Sequence, residues 1–332
     1  MFLVEGGAPV GLVSGGCLEE DLAERAVRVL AEGRPETVVY DMRSPDDIVW
    51  GLGLGCDGEV RVLLEPIEPA AFPDYLGFIR DCERRRVTAV LATVFDGSAD
   101  VGLERAQRLL LSSDAGTVSE LPGGDIGRSL FQDATHVLDS GRTTVRHYAA
   151  DAGTADVLLE YLAPSPRLLL FGAGDDARPV ARMARQLGWR VSLYDHRPAY
   201  AEAERFPDVD EVRQVRYEAL KPEDLPIDRW TAVVVMTHHF LNDRAILPLL
   251  LATDTPYIGL LGPKKRALNL LDGVGADPEL RRRVFGPVGL DIGSETPEEI
   301  ALSLLAEIQA VFSGRQGGFL RNRDRPLHDP IE

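Results

Sequence analysis

The sequence predicts an α/β protein with a doubly wound parallel sheet in its C-terminal half and a smaller α/β domain before it. Three observations predict this organisation. Residues 167–195 run from a buried strand through a glycine-rich turn and a helix to a second strand that ends in an acid. Residues 15–40 recur in degenerate form at 123–148. A proline-rich stretch, 163–166, separates the two parts.

Length and composition exclude several classes of protein. A chain of 332 residues with 45% apolar content fits two or three globular domains with real cores. The net charge of −17 argues against nonspecific binding to nucleic acid or to an anionic membrane surface. No secretory pattern and no apolar run of ~18 residues is present, so we expect no membrane segment. Cys17, Cys56 and Cys82 form no CxxC pair, and free thiols indicate a cytoplasmic protein.

The first element is expected to be a short strand, Val10–Val13, that reaches a two-glycine corner with Cys17 at the start of a helix. Gly33 ends this helix. Its apolar face is predicted to comprise Leu18, Leu22, Ala26, Val29 and Leu30. A thiol at a helix N-terminus meets unpaired N–H groups that favour the reactive thiolate, although nearby acidic residues oppose this effect. The alternative is a small buried cysteine that fills a tight corner.

The stretch from residue 37 to residue 95 is predicted to alternate strands with one helix. The predicted strands are Thr37–Tyr40, Glu59–Glu65 and Thr88–Phe95, and the predicted helix is Tyr75–Arg86. A second glycine-rich cysteine segment, Trp50–Gly58, contains Gly55 and Cys56. Pro69 and Pro73 mark a linker.

The repeat aligns residues 15–40 with 123–148 at a constant offset of 108, with 9 of 26 positions identical. Chance would give about two identities. The identical positions include the glycine corner, the apolar helix face and the helix stop, which indicates a shared unit of strand, corner, helix and strand. Cys17 aligns with Asp125, so the cysteine is an addition to the scaffold in the first copy. The first copy lacks a leading strand, so we expect a strand from upstream, from the second copy or from a partner chain.

The C-terminal half carries the dinucleotide-binding fingerprint of a Rossmann-like fold. Strand Arg167–Phe171 leads into the turn Gly172-Ala-Gly174, and Asp195 ends the second strand. Such a site would place a pyrophosphate on the amides after Gly174 and a ribose on Asp195. Asp175 and Asp176 put two carboxylates at the phosphate position, and each at ~4 Å would cost a phosphate roughly 1 to 4 kcal/mol. NAD(P) binding therefore stays open.

The alternation continues with strands at 232–236 and 257–261, a helix at 242–251, and a capping box that opens the last helix at Thr296. Two motifs follow strands at the sheet edge where such folds bind ligands. Thr237-His238-His239, with Asp243, suits acid–base chemistry, but adjacent histidines on an extended segment point apart and disfavour a shared metal. Lys264 begins a basic run at a helix start, which indicates either an anion site or a solvated face.

Together these motifs resemble the xanthine dehydrogenase accessory family, XdhC/CoxI. The segments that resemble its N-terminal domain are Ser14–Glu19 and Gly53–Gly58. The segments that resemble its Rossmann domain are Phe171–Gly174, Asp195–Arg197, Thr237-His238, Tyr257–Gly262, Gly286–Gly293 and Thr296–Ile300. The sequence departs from the family pattern in having Asp175 where a histidine is usual and Thr-His-His at the second motif, and its N-terminus is short.

The resemblance implies a cytoplasmic factor that binds molybdenum cofactor. It implies that the protein protects the cofactor during sulfuration by a cysteine desulfurase and delivers it to a molybdenum hydroxylase such as xanthine dehydrogenase. We expect a homodimer without turnover of its own. The expected reactive residues are Cys17, Cys56 and His238. The expected cofactor-binding residues are Ser14, Gly15, Gly16, Gly55, Gly172, Gly174, Asp195, Thr237 and Lys264.

The predicted domains are an N-terminal unit at 1–70, its degenerate copy at 71–163, a Rossmann-like domain at 164–312 and a tail at 313–332. The sequence is also compatible with two other functions. One is an NAD(P)-dependent oxidoreductase that uses His238 or Cys17. The other is an assembly scaffold whose Rossmann half only dimerises or docks partners.

Overall fold

The computed structural model describes residues 10–41, 58–67, 73–97, 102–117, 124–150 and 153–324. The chain divides into two compact units, the first ending at Pro164 and the second extending from Ser165 to Leu327. The division falls within the proline-rich stretch 163–166. Among the described helices, none is long and apolar enough to cross a membrane.

The first unit combines helices with antiparallel strands. Its helices are α1 (Glu19–Glu32), α2 (Asp74–Arg85) and α3 (Gly124–Ser140). Its strands are β1 (Glu36–Asp41), β2 (Glu59–Leu64), β3 (Ala89–Asp96), β4 (Arg108–Ser112), β5 (Gly116–Thr117), β6 (Thr144–Ala150) and β7 (Gly153–Leu162). The order β5-β4-β3-β7-β6 makes an antiparallel sheet, and β1 pairs with β2.

Helices cover both faces of the five-stranded sheet because successive side chains of a strand point to opposite faces. Val90, Ala92 and Val94 of β3 belong to a core that contains α3. Ala89 and Leu91 belong to a second core that contains α2. The central strand is therefore buried on both faces, which explains its continuous apolar sequence.

The internal repeat is visible in the structure. Helices α1 and α3 each end at a glycine in the left-handed conformation, Gly33 at φ 64° and Gly141 at φ 67°. Each helix is followed by a strand that pairs antiparallel with the next described strand, β1 with β2 and β6 with β7. Tyr40 and Tyr148, identical in the alignment, each donate the hydroxyl hydrogen bond to an aspartate on the preceding helix. In the second copy, β4 and β5 lie between the leading strand β3 and the glycine corner.

Two sequence expectations in the first unit are wrong. Val10–Val13 is not a strand: Val10 makes one bridge, and the chain then bends around the Ser14 side chain, which leaves Leu12 76% exposed. Leu30 is 43% exposed because it lies beyond the edge of the helix face that buries Leu22 and Val29. Residues 50–57 of the second cysteine segment lie outside the described residues.

The second unit is a doubly wound parallel sheet. Its strands are β8 (Arg167–Phe171), β9 (Arg190–Asp195), β10 (Glu211–Gln214), β11 (Thr231–Val235), β12 (Tyr257–Leu260) and β13 (Val284–Phe285). Its helices are α4 (Ala177–Gln186), α5 (Phe240–Leu251), α6 (Lys264–Gly273), α7 (Pro278–Arg281) and α8 (Pro297–Phe312). The order β10-β9-β8-β11-β12-β13 is the 3-2-1-4-5-6 arrangement of Rossmann folds, and every strand pair is parallel.

This topology positions the loops that form the candidate site. Helices α4 and α8 cover one face of the sheet, and α5 and α6 cover the other. The strand order reverses between β8 and β11, so the loops that follow these two strands diverge and leave a crevice at the carboxyl edge of the sheet. Thr296 caps α8 as predicted, because its hydroxyl accepts the Glu299 amide and the Glu299 carboxylate accepts the Thr296 amide.

Candidate functional site

The glycine-rich turn after β8 is packed tightly against the end of β11. Gly172 has φ 114°, and a Cβ at this position would lie 2.4 Å from the carbonyl oxygen of Met236. The Gly172 amide donates a hydrogen bond to Tyr194 O at 2.8 Å. Only glycine satisfies both the positive φ and the close approach of the neighbouring backbone.

The second glycine of the turn makes room for a carboxylate of this chain. A Cβ at Gly174 would lie 2.6 Å from Asp176 Oδ1. The other oxygen, Asp176 Oδ2, lies 2.7 Å from His238 Nε2 on the loop after β11. In dinucleotide-binding proteins the second glycine lets the backbone approach the pyrophosphate. Here the space beside Gly174 holds a side chain that bridges the two loops of the crevice.

His238 adopts an uncommon backbone conformation. Its φ is 56°, in the left-handed region, which costs a non-glycine residue about 1–2 kcal/mol. Its side chain is 60% exposed, so burial of the ring does not offset this cost. Strain of this kind persists where the surrounding structure imposes it, and it concentrates at functional sites.

Asp195, the predicted ribose ligand, is engaged within the protein. Its side chain is buried, Oδ2 accepts the Ala173 amide at 2.8 Å, and Oδ1 accepts the Arg197 amide at 2.9 Å. The Arg197 guanidinium also donates to both carboxylate oxygens, at 3.0 and 2.8 Å. Burial acts to raise the pKa of Asp195, but the hydrogen bonds from Arg197 and Ala173 outweigh it and lower the pKa. A ribose would have to displace Arg197 to reach this carboxylate.

A second charged pair lies behind the His238 loop. Asp243, near the start of α5, is buried; Oδ1 accepts the Thr237 hydroxyl at 2.5 Å and Oδ2 accepts Arg266 Nη2 at 2.6 Å. The Arg266 guanidinium also lies over the Phe240 ring, 5.5 Å from its centroid. The buried carboxylate and the ring together hold the Arg266 side chain in one orientation.

These pairs meet at a cavity of about 540 Å³ on the carboxyl edge of the sheet. Its ionisable lining residues are Asp176, His238 and Arg266. The remaining lining residues are Leu261, Gly262, Pro263, Pro287, Val288 and Ile300. The cavity therefore combines a cation and an imidazole–carboxylate pair with a mainly apolar wall, a combination that is typical of small-ligand sites. It lies at the position where doubly wound sheets bind ligands.

The front-half candidate is the turn that carries Cys17. The Ser14 hydroxyl oxygen accepts the amides of Cys17 and Leu18, at 3.0 and 2.9 Å, and donates to Glu19 Oε2 at 2.5 Å. Hydrogen bonds from the Ser14 hydroxyl and from backbone amides of Ser14 and Val13 lower the pKa of Glu19 to about 2. The expectation of unpaired amides beside the thiol is wrong for Cys17 and Leu18, because Ser14 caps both.

Cys17 is exposed, so it is not the small buried cysteine that was the alternative for this corner, whereas Cys82 is buried in the α2 core. Gly15 and Gly16 border open space, so the backbone of this corner is also accessible. Gly55 and Cys56 lie outside the described residues. Within the described ranges, no group of three or more metal-ligating side chains could hold a metal ion.

The structure groups some of the predicted site residues and separates others. His238 lines the cavity, Thr237 supports its wall through Asp243, and Gly172 and Gly174 shape the adjoining turn. The side chain of Lys264 is exposed and is not among the residues that line the cavity. The sequence does not predict two roles, Asp176 as the partner of His238 and Arg197 as the partner of Asp195. Arg266, the third residue of the predicted basic run, is the member of that run that lines the cavity. The basic run at the start of α6 is the only sequence signal for Arg266.

Comparison with known proteins relates both the N-terminal and the C-terminal part of the chain to the same family. Residues 168–308 match the model of the XdhC Rossmann domain, and residues 1–41 match that of the XdhC and CoxI family. The chain is 35% identical over 315 residues to a probable xanthine dehydrogenase subunit of Bacillus subtilis (strain 168), covering 93% of this chain and 86% of that protein. It is 24% identical over 319 residues to the molybdenum cofactor insertion chaperone PaoD of Escherichia coli (strain K12), covering 94% and 77% of the two chains.

A solved structure supports the same relationship. The crystal structure described as a xanthine dehydrogenase from Bacillus halodurans superposes with a TM-score of 0.72 at 31% sequence identity. The superposition covers 94% of this chain and 85% of that one.

Proposed function

The chain belongs to the XdhC and CoxI family, and from this premise we propose that it is an accessory protein in the maturation of molybdenum hydroxylases. In this proposal it binds molybdenum cofactor in the cytoplasm, holds it during sulfuration by a cysteine desulfurase and delivers it to an enzyme of the xanthine dehydrogenase type. The relative named as a molybdenum cofactor insertion chaperone supports the cofactor, and the relative named as a probable xanthine dehydrogenase subunit supports the target.

The structural observation that carries the proposal is the exposed Cys17 thiol at the open glycine corner. A protein that carries the cofactor needs a soft donor that can bind reversibly near the metal and its sulfur ligands. Thiolates are such donors. The corner at Gly15 and Gly16 borders open space, but its amides are engaged within the chain: Gly16 donates to Ser14 O at 2.8 Å, and Cys17 and Leu18 donate to the Ser14 hydroxyl. An anionic group of the cofactor would therefore take the place of the Ser14 hydroxyl at the Cys17 and Leu18 amides. When bound, molybdenum cofactor supplies a redox-active metal to the target enzyme.

The residues around Cys17 determine how the thiol is presented. The Ser14 hydroxyl accepts the amides of Cys17 and Leu18 and donates to the Glu19 carboxylate, so the turn that precedes α1 is held by hydrogen bonds of this chain. A preorganised turn avoids an ordering cost when the cofactor binds. Cys56, in the second glycine-rich segment, is proposed as the second thiol, and a homodimer is proposed as the working state.

A nicotinamide-dependent oxidoreductase is the weaker proposal, because the residues at the Rossmann turn do not fit a dinucleotide. Asp176 occupies the space beside Gly174 where a pyrophosphate would lie. Asp195 is already bound by Ala173 and Arg197. No observation in the described residues favours hydride transfer over cofactor carriage.

Activation of a target enzyme tests the proposed function. Purified protein, co-produced with cofactor biosynthesis, is mixed with a cofactor-free molybdenum hydroxylase, and the recovered activity is measured over time. Cys17→Ala should unfold at the wild-type temperature yet lower the activation rate at least about tenfold. Cys82→Ala is the matched control, since it removes a buried thiol and should keep activation. Wild-type activation by Cys17→Ala would overturn the role of this thiol.

A further inference from the structure

A second cavity of the C-terminal unit lies beside α4 and has no part in the proposed chemistry at Cys17. Its volume is about 410 Å³, and it is lined by residues of α4, of the segment that precedes β10 and of the first turn of α8. It shares no lining residue with the cavity at His238. A cavity of this size suits a small organic ligand.

Apolar side chains form one part of the lining, and the core of the unit holds them in place. Pro179 of α4 and Phe206 are buried, and Val209 packs against the same core as Phe206. Because these side chains are already ordered, an apolar group can bind against them with little ordering cost to the protein.

Two arginines of α4 provide positive charge. Arg178 and Arg182 both line the cavity and are four residues apart, which places them on the same face of the helix. Arg182 makes no hydrogen bond or ion pair among the described residues. Arg178 approaches only Asp175 Oδ1, at 3.9 Å, and that oxygen already accepts Arg205 Nη2 at 2.8 Å. Both guanidinium groups of α4 are therefore available to an anionic group.

Two carboxylates provide negative charge in the same cavity. Asp208 precedes β10, and Glu298 lies in the first turn of α8. The neighbouring Glu299 is engaged in the cap of α8, whereas the side chains of Asp208 and Glu298 make no hydrogen bond or ion pair within the described ranges. These two carboxylates are available to a cationic group, and they oppose any ligand that carries only negative charge.

Charges of both signs therefore line one cavity, and Arg182 does not pair with Asp208 or Glu298. A ligand with both signs of charge gains from both sets, whereas a simple anion or a simple cation is repelled by one of them. An α-amino acid carries a carboxylate and an ammonium group on the same carbon. We propose that this cavity binds a free α-amino acid with an apolar side chain. Its carboxylate binds the two arginines of α4, its ammonium group binds Asp208 and Glu298, and its side chain lies on the apolar lining.

The inference goes beyond the proposed function, because it involves neither Cys17 nor molybdenum cofactor. A bound amino acid contacts α4, α8 and the segment before β10 at once, so it raises the unfolding temperature as its concentration rises. The binding experiment uses purified full-length protein without cofactor or hydroxylase. Its failure therefore leaves the proposed function intact, and failure of the activation experiment leaves this inference intact.

Isothermal titration calorimetry of the full-length protein tests the proposal. L-Valine, L-leucine and L-phenylalanine are the probes, and at least one of them should bind. The tightest is then compared with the analogue that lacks the ammonium group and the analogue that lacks the carboxylate (isocaproate and isoamylamine for L-leucine). The amino acid should bind about tenfold more tightly than either analogue, because each analogue loses one set of charge-assisted contacts.

Variants on both sides of the cavity locate the binding. Arg182→Gln and Glu298→Gln should each weaken it about tenfold, because each removes one charge that faces the ligand. The matched controls are Arg216→Gln and Glu218→Gln, which make the same changes at exposed positions outside the cavity and should bind as the wild type does. The unfolding temperature of each variant, measured without ligand, separates a loss of binding from a loss of folding.

Three results would overturn the proposal. The first is that none of the three amino acids binds at millimolar concentration. The second is that either analogue binds as tightly as its amino acid, which would show that only one sign of charge is recognised. The third is wild-type affinity in both Arg182→Gln and Glu298→Gln, which would place the binding elsewhere on the protein.

Discussion

Substitution of Asp195 tests whether the hydrogen bonds of this carboxylate stabilise the Rossmann turn. In the structure the buried carboxylate ties the Ala173 amide of the turn to Arg197, which follows β9. Asp195→Ala removes every one of these contacts. Ala173 is buried, so its amide is left without an acceptor in the protein interior.

The expected loss is large for a single side chain. An unsatisfied buried amide costs about 1–3 kcal/mol, and hydrogen bonds to a charged group contribute about 1.5–3 kcal/mol. Arg197 is partly exposed and stacks on Tyr200 at 3.6 Å, so its guanidinium can turn to solvent and limit the loss. We therefore expect Asp195→Ala to lower the free energy of unfolding by about 4 kcal/mol. For a unit of this size, this corresponds to a fall in Tm of roughly 8–16 °C.

The effect should depend on pH in a defined direction. Hydrogen bonds from Arg197 and Ala173 hold the pKa of folded Asp195 below its value in the unfolded chain, about 3.9, despite the opposing effect of burial. A lowered folded pKa means that the stabilisation is fully present above the unfolded pKa and is lost as pH falls through the folded pKa. The difference in unfolding free energy between wild type and Asp195→Ala should therefore be constant above about pH 5 and should shrink below about pH 4.

Thermal and urea unfolding, followed by circular dichroism across this pH range, measure the effect. Asp175→Ala is the matched control in the same turn: its carboxylate is 82% exposed, although its partner Arg205 is 24% exposed, so the loss should stay within about 1 kcal/mol. Equal losses for the two variants, or a loss for Asp195→Ala that does not change at low pH, would refute this account of the turn.

Two further substitutions test the packing around the crevice. Arg266→Met should lower the free energy of unfolding by about 3 kcal/mol, because the buried Asp243 carboxylate loses its cation. Adding Asp243→Asn to the same chain should recover part of this loss. No recovery in the double variant would contradict the pairing. Gly172→Ala should cost at least about 2 kcal/mol, because the new methyl group would lie 2.4 Å from Met236 O at φ 114°. Gly188→Ala, at φ 79° in open space, should cost about 1 kcal/mol, and equal losses at both glycines in urea titrations would refute the close contact.

Much of the fold follows from local patterns in the sequence. The strand, turn and helix at 167–186 are predictable from the sequence. A buried strand that is followed by two glycines and, at the end of the next strand, by an acid is typical of few folds other than the Rossmann fold. The repeat is predictable because its identical residues are those that end helices and fill cores. Strands β10 and β13 are not predictable from sequence because they are short edge strands with no clear alternation. Val10–Val13 is misleading because apolar content alone does not provide a strand with partners.

The site is less predictable, because its contacts join distant parts of the chain. The pair formed by Asp176 and His238 spans 62 residues, and no local spacing indicates it. The sequence alone presents Asp176 as an obstacle to a phosphate, and the structure adds that it has its own partner. Arg266 is one of three basic residues in a row, and only tertiary packing on Asp243 separates it from its exposed neighbours.

In the proposed function, this protein carries molybdenum cofactor and Cys17 helps to hold it. The most direct measurement is the molybdenum and pterin content of protein purified without oxygen from cells that make the cofactor, for wild type and Cys17→Ala. The wild type should carry equimolar molybdenum and pterin, and the folded Cys17→Ala variant should lose most of both. A wild-type protein free of both, from cells whose molybdenum hydroxylase is fully loaded, would contradict it.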